Sequence, residues 1–476
     1  MTETKIQLQQ IMQQSGVAFG TSGARGLVVA MTDEVCAAYT QAFIKTVQQA
    51  FTFKTVAIAI DLRPSSRRIA KACSAMAQQL GLEVIFCGEI PTPALALFSQ
   101  IRGIPGIMVT GSHIPFDRNG LKFYRPDGEI SKADESAMVA CELQPSAKVD
   151  TALPLEDTEA KNHYLQRYKT LLGEGALNGL KLAVYQHSSV GRDLIPELLS
   201  DLGAEVICLE RSDTFVPIDT EAVSAEDIEK GLNWAQQYQV DAIISTDGDG
   251  DRPLISDEKG QWLRGDIVGL LTAKALNISY LAVPVSCNTA IEASGVFEKV
   301  LRTRIGSPYV IAAMETLQQS GAHSIAGFEA NGGFLLGTAI STLKLASLPT
   351  RDAVLPVVCL LGQIKKQHLP LSELVSALPQ RYTASDRLQN FATEKSQSLL
   401  DKWSKTPEDM LLTLKLSETL GSADTTDGLR VTCQSGSIIH LRPSGNAPEL
   451  RCYVESDDVA TANQLVKNVL TELSHI

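Results

Sequence analysis

Residues 56–87 read VAIAIDLRPSSRRIAKACSAMAQQLGLEVIFC. Val56–Ile60 is a short apolar run, the pattern of a buried strand. A polar turn, Asp61 to Ser66, leads into a helical stretch that reaches Leu80. Gly81 supplies a helix stop, and Val84–Cys87 is a second apolar run. The same unit returns twice. Leu180–Tyr185, a helix over Gly191–Leu202, the stop Gly203 and Val206–Leu209 form the second copy. Tyr280–Val285 and a helix near Thr289–Val300 form the third. Repeated strand–helix–strand units predict three tandem, related α/β domains with mainly parallel sheets.

The last hundred residues follow another pattern. Leu429–Cys433 and Ile438–Leu441 flank Gln434-Ser435-Gly436-Ser437, a hairpin signal, and Arg451–Glu455 is another strand. After Asp457 and Asp458, Val459, Leu465, Val466, Val469, Leu470 and Leu473 share one helical face. These features predict a smaller C-terminal α+β domain. The expected divisions are 1–152, 153–257, 258–370 and 371–476, in keeping with 476 residues at roughly 100–200 per domain.

Composition narrows the function. Hydrophobic residues make up 44% and charged residues 20%, the balance of a globular enzyme. Net charge is −12 and no run of Lys or Arg stands out, which excludes the basic field that nucleic-acid binding needs. The start, MTETKIQLQQ, lacks a basic and then apolar leader, and no apolar run approaches the roughly 18 residues of a membrane span. The most apolar stretch, Ala353 to Leu361, is broken by Pro356. Nine scattered cysteines with no C-x-x-C pair predict reduced, buried thiols and a cytoplasmic protein.

Five segments carry chemistry. Asp247-Gly248-Asp249-Gly250-Asp251-Arg252 follows the apolar DAIIS, and three carboxylates so close repel unless a cation sits among them. Hard oxygen donors of this kind suit Mg²⁺ or Ca²⁺. An EF-hand is excluded, because Arg252 stands where that loop turns on glycine and a strand, not a helix, precedes it. Thr110-Gly111-Ser112-His113 follows Gly106–Val109, so Ser112 is a candidate nucleophile with His113 or another group taking its proton. Lys122, ten residues on, suits a phosphate or a proton transfer. In Phe19-Gly20-Thr21-Ser22-Gly23-Ala24-Arg25-Gly26, small residues expose backbone N–H groups and Arg25 adds a forked donor for an anion. Arg442-Pro443-Ser444-Gly445-Asn446 offers donors for a terminal phosphate. Glu329 and Asn331, in Gly327–Gly333, suit sugar hydroxyls. No Walker A pattern occurs.

Together, and in this order, FGTSGARG, the TGSH loop followed by NGLK, DGDGDR, GFEANGG and RPSG resemble the α-D-phosphohexomutase family, most closely its phosphomannomutase and phosphoglucomutase branch, over essentially the whole chain. The resemblance implies three related α/β domains and a smaller fourth around a central cleft. It implies interconversion of hexose 1- and 6-phosphates through a phosphoserine and a 1,6-bisphosphate, with mannose phosphates the first expectation and glucose phosphates, one or both, the alternative. Glucosamine phosphate, a phosphatase and a catalytically weak binding paralogue rank lower. By the same resemblance Ser112 carries the phosphoryl group and joins Asp247, Asp249 and Asp251 around Mg²⁺. Arg25 stabilises phosphate, His113 and Lys122 act beside the serine, and Glu329 contacts the sugar, with Asn331 a candidate from its own chemistry. Arg442, Ser444 and Gly445 match the loop that holds the second phosphate, with Asn446 and Arg451 as further candidates of this sequence beside it. A hexose 1,6-bisphosphate is the implied activator, a sugar phosphate the implied partner, and a monomer or homodimer the implied assembly. Ile114, Asn331, Ser307-Pro308, Asn446-Ala447 and Glu449 depart from the family pattern. Most of these departures lie in loops that recognise substrate, so they bear on the choice of sugar more than on the chemistry.

Overall fold

The computed structural model describes residues 6–112, 114–144, 152–444 and 449–476. The expected site residues His113, Gly445 and Asn446 lie outside these.

Each of the first three units is a mixed sheet whose parallel strands come from the repeated pattern. In the first, Thr55–Ile60 pairs in parallel with Glu83–Glu89 on one side and Gly106–Val109 on the other. Arg118–Arg125 then runs antiparallel to Gly106–Val109, and Ala24–Leu27 extends the sheet beyond it. In the second unit Lys181–His187 lies between Glu205–Arg211 and Ala242–Thr246, both parallel to it, and Pro253–Ile255 closes antiparallel. In the third, Tyr280–Pro284 lies between Lys299–Thr303 and Ile325–Phe328. Phe334–Leu336 and Leu348–Asp352 follow antiparallel. The fourth unit is a five-stranded sheet, Tyr382–Gln389, Glu449–Ser456, Ile438–Pro443, Leu429–Cys433 and Leu420–Asp424 in spatial order, antiparallel throughout. The fold class expected from the sequence is the one observed.

The repeat has a consequence for function. In all three α/β units the third parallel strand turns directly into an antiparallel neighbour, and a chemistry-bearing segment forms that turn. Residues 110–117 join Gly106–Val109 to Arg118–Arg125, residues 247–252 join Ala242–Thr246 to Pro253–Ile255, and residues 329–333 join Ile325–Phe328 to Phe334–Leu336. Carboxyl ends of parallel strands are where open α/β sheets place ligands.

Two expectations change. The helix expected near Thr289–Val300 is one turn, Ala290–Ala293, and Lys299–Thr303 is a strand. Gly295 turns left-handed at φ 64°, and the β-branched Val300 and Thr303 suit the sheet edge that they extend. The cysteines are all free, but Cys208 is exposed and Cys141 half-buried rather than in the core.

Packing sets the units' relation. Helices Thr92–Arg102, Glu159–Leu172, Gly265–Ala275 and Val354–Gln367 bury Phe98, Tyr164, Leu270 and Val358 in one core that runs continuously through the first three units. The apolar Ala353–Leu361 belongs to the last of these helices, where Pro356 sits in the first turn and breaks no helical hydrogen bond. Leu371 and Leu374, in helix Leu371–Ser376, join this same core. The fourth unit has a core of its own around Trp403. It docks on the third by polar contacts: Glu455 accepts from the Thr289 amide and Asp427 from the Ile305 amide, both at 3.0 Å. No helix among the described residues is long and apolar enough to cross a membrane.

Candidate active site

The serine loop starts from Gly106–Val109, all four residues buried. Ser112 has φ 53°, a left-handed conformation that a residue with a Cβ holds only when its surroundings impose it. The surroundings here are explicit. The Ser112 amide donates to Thr110 Oγ1 at 2.7 Å. The buried Arg63 guanidinium donates to the carbonyls of Ser112 (2.8 Å), Ile114 (2.5 Å), Pro115 (2.7 Å) and Arg118 (2.9 Å). Behind it, Asp61 accepts from Arg63 Nε at 3.2 Å, from Ser66 Oγ at 2.5 Å and from Thr110 Oγ1 at 2.8 Å. A Cβ on Gly111 would meet Arg63 Cζ at 2.4 Å, so the arginine accounts for the glycine before the serine.

The Ser112 hydroxyl donates to Asp247 Oδ2 at 2.7 Å, across the boundary between the first two units. Asp247, Asp249 and Asp251 are at most 1% exposed. Asp247 Oδ1 accepts the amides of Asp251 and Arg252, both at 3.2 Å. Asp249 Oδ2 accepts from Thr92 Oγ1 at 2.6 Å and Lys122 Nζ at 2.5 Å, and Asp251 Oδ2 from Lys122 Nζ at 2.6 Å and Arg351 Nε at 3.0 Å. Burial and the two neighbouring carboxylates push the Asp247 carboxyl well above the usual carboxylate range. Burial acts the same way on the other two, but Lys122 overrides it at Asp249 and Arg351 at Asp251, and both are held below that range.

This set fits a divalent ion. One oxygen from each aspartate lies within 4.8 Å of the others, the only such group among the described residues. Asp249 Oδ1 and Asp251 Oδ1 are buried with no hydrogen-bond partner among the described residues. Arg252 Nε lies 3.6 Å from Asp251 Oδ1, beyond hydrogen-bond reach, and buried carboxylate oxygens without hydrogen bonds are costly unless a cation joins them. An all-oxygen set is the donor type of Mg²⁺ or Ca²⁺.

Lys122, expected beside the serine, reaches the aspartates because Arg118–Arg125 pairs with Gly106–Val109. Arg25 lies in the neighbouring strand, opposite Gly120. Burial first, and then the charges of Arg252 and Arg351, lower its pKa to about 10. Three guanidiniums thus gather near the aspartates, a field suited to phosphate. Glu329 is buried and accepts from Arg351 Nη1 at 2.9 Å. Asn331 Oδ1 accepts the Gly333 amide at 3.0 Å, so this oxygen closes its own loop. Arg442 Nε pairs with Asp427 at 2.9 Å, within the fourth unit. The buried Ser444 donates its amide to the Glu449 carbonyl at 2.8 Å, and Arg451 lies opposite Arg442 in the sheet. Burial and the charge of Asp219 push the Glu221 carboxyl of the second unit up, against the charges of Arg264, Arg252 and Arg451. Asp61, Arg63, Thr92 and Arg351 were not picked out from the sequence. The available signal was a charged residue at the carboxyl end of a buried strand, as in Asp61-Leu62-Arg63 and Arg351-Asp352.

All four parts of one family match. Residues 16–144, 162–260 and 264–382 match the phosphoglucomutase/phosphomannomutase α/β/α domains I, II and III, and residues 390–472 the C-terminal domain. The chain belongs to the phosphoglucomutase/phosphomannomutase family. It is 52% identical over 469 residues to a phosphomannomutase of Salmonella muenchen, covering 97% of each chain. It is 44% identical over 473 residues to a phosphomannomutase of Sinorhizobium fredii, covering 96% of this chain and 99% of the relative. A crystal structure of a phosphoglucomutase/phosphomannomutase family protein from Burkholderia thailandensis superposes with a TM-score of 0.74 at 20% identity, over 96% of this chain and 97% of the other, a likeness of fold.

Proposed function

We propose that this chain interconverts mannose 1-phosphate and mannose 6-phosphate in the cytoplasm, as a monomer or homodimer, with Ser112 as phosphoryl carrier. The observation that carries the assignment is the Ser112 hydroxyl, held in a left-handed turn 2.7 Å from Asp247 among three buried aspartates. The sugar is taken from the two phosphomannomutases that share 52% and 44% of its residues.

In the first half-reaction the bond between Ser112 Oγ and phosphorus breaks and a bond from phosphorus to the free sugar hydroxyl forms. The hydroxyl proton passes to His113, and the departing Ser112 oxygen takes a proton in turn, with the Lys122 ammonium as its donor. The resulting hexose 1,6-bisphosphate turns end for end, and Ser112 takes back the other phosphoryl group. Asp247, Asp249, Asp251 and the Ser112 phosphate would hold Mg²⁺, which when bound offsets negative charge on the transferring group. Arg25 contributes positive charge from the opposite strand. Glu329 and Asn331 contact sugar hydroxyls, and Arg442, Ser444, Gly445, Asn446 and Arg451 hold the phosphate that does not react. A trace of hexose 1,6-bisphosphate keeps Ser112 phosphorylated.

The test is ³¹P NMR of the protein with Mg²⁺, a trace of glucose 1,6-bisphosphate, and mannose 1-phosphate or glucose 1-phosphate in parallel tubes. A growing mannose 6-phosphate signal, faster than that of glucose 6-phosphate, is the expected result. Equal or faster growth with glucose would overturn the choice of sugar. Inorganic phosphate alone, or no change, would overturn the mutase.

A further inference from the structure

Strand Glu205–Arg211 is followed by a stretch without regular structure that leads to helix Ala225–Tyr238. No motif marks it, yet it reaches the aspartate loop, the Glu329–Gly333 loop and the arginine that holds the serine loop. The Phe215 ring lies 4.1 Å from Arg63 Cζ, face on to the guanidinium that holds the carbonyls of the serine loop. The same ring borders the aspartate loop. A Cβ on Gly248 would meet Phe215 at 3.3 Å and the Ser112 carbonyl oxygen at 2.8 Å, so phenyl ring, glycine and serine backbone meet at one point. Five residues on, the buried Thr220 donates its hydroxyl to the Asn331 carbonyl of the sugar loop at 2.9 Å. Between these ends the Val216 amide donates to Ser188 Oγ at 2.7 Å, and Ile218 is buried in the core of the second unit.

We propose that residues 215–220 are a positioning element of the active site. Phe215 fixes the guanidinium that holds the Ser112 turn, and Thr220 fixes the sugar loop at the distance that this turn requires. The inference rests on Ser112 being the phosphoryl carrier. Its physical basis is twofold. The Ser112 backbone occupies a left-handed conformation that its surroundings must hold, and Arg63 donates to its carbonyl at 2.8 Å. A guanidinium whose hydrogen-bonding edge is spent on carbonyls is steadied best through its face, and an aromatic ring supplies that contact. No part of this segment touches the reacting atoms, so it acts through Arg63, Gly248 and Asn331.

The experiment uses the full-length protein with Mg²⁺. Glucose 1,6-bisphosphate is mixed with wild type, Phe215→Leu, Phe215→Tyr and Thr220→Val. Phosphorylation of Ser112 is followed by rapid quench and intact mass, and kcat and KM for mannose 1-phosphate are measured alongside. Leucine keeps the bulk and removes the ring face, so Phe215→Leu should slow transfer to Ser112 about tenfold with KM changed less than about twofold. Phe215→Tyr should restore the rate. Thr220→Val should raise KM about fivefold, with transfer to Ser112 less affected. Thermal melting checks folding, and Phe215→Met replaces the leucine variant if the latter melts poorly. A wild-type transfer rate in folded Phe215→Leu or Phe215→Met, or a tyrosine variant as slow as leucine, overturns the proposal. If wild type itself gains no phosphoryl group on Ser112, the assignment of Ser112 fails first, a result separate from either variant outcome.

Discussion

The serine loop of the first unit and the aspartate loop of the second hold the same place in their sheets, yet opposite charges organise them. The serine loop is gathered from behind by a cation, Arg63, whose donors collect four carbonyls and whose charge is balanced by Asp61. The aspartate loop is gathered by its own anions. Asp247 collects backbone amides, while Lys122, Thr92 and Arg351 supply donors from other units. One loop presents a hydroxyl suited to carry a phosphoryl group, and the other presents carboxylates suited to a divalent ion. They meet at the hydrogen bond from Ser112 to Asp247. The same strand-to-strand turn thus serves two chemistries because the charge that anchors it differs.

The contact itself breaks first. Ser112→Ala should lower mutase turnover by at least about ten-thousandfold, equivalent to about 5 kcal/mol. Near-normal activity in the NMR assay would remove the serine from its role. Next comes the cation behind the serine loop. Arg63→Met leaves Asp61 buried without its partner, a loss of about 3–5 kcal/mol by urea unfolding. Arg63→Lys should recover part of that stability but not the rate, since an ammonium cannot span the same carbonyls. Equal activity in the lysine variant and wild type would show that charge alone organises the loop.

On the anionic side, Mg²⁺ at a hundredfold excess over its Kd should stabilise the protein by about 2.7 kcal/mol, read as a rise in melting temperature. Asp249→Asn should lose most of that rise and far more activity than stability. His187 offers a smaller probe of the same loop. It is buried, and its Nε2 donates to the carbonyl of Thr246, just before Asp247. Burial lowers its pKa to about 4. The unfolded histidine, near pKa 6.5, binds more protons through the window between, so stability is full above that value and falls as pH drops toward 4. Wild type should lose about 2 kcal/mol more than His187→Gln between pH 7 and pH 5. Parallel urea midpoints in the two proteins would rule this out. The smallest effect belongs to the link between aspartate and sugar loops. Arg351→Lys cannot reach both Asp251 and Glu329, and KM for the sugar phosphate should rise about fivefold, near 1 kcal/mol, with kcat less changed. A change confined to kcat would instead tie Arg351 to the transferring group.

The parts of the site that announce themselves locally were legible. Asp247, Asp249 and Asp251 stand within five residues, and Ser112 lies in the polar loop that follows the apolar run Gly106–Val109. The first two α/β units were legible because a buried strand, a helix and a glycine stop repeat, and the third through its first strand, Tyr280–Val285. The third helix was misjudged because a single helical turn followed by a sheet-edge strand keeps much the same apolar content. Arg63 and Arg351 carry only the weak signal of a charge at the end of a strand, and Phe215 carries none, since a phenylalanine in a loop is ordinary.

The sequence by itself determined which residue types exist in which turn, because period-two and helical periodicity, glycine stops and clustered carboxylates act over a few neighbours. Only the tertiary structure decided what those turns face. Ser112 and Asp247 are 135 positions apart, Lys122 and Asp249 127, and Thr220 and Asn331 111. Their meeting depends on a continuous core that packs three sheets against shared helices, and burial over such separations is a property of the whole chain, not of any segment of it.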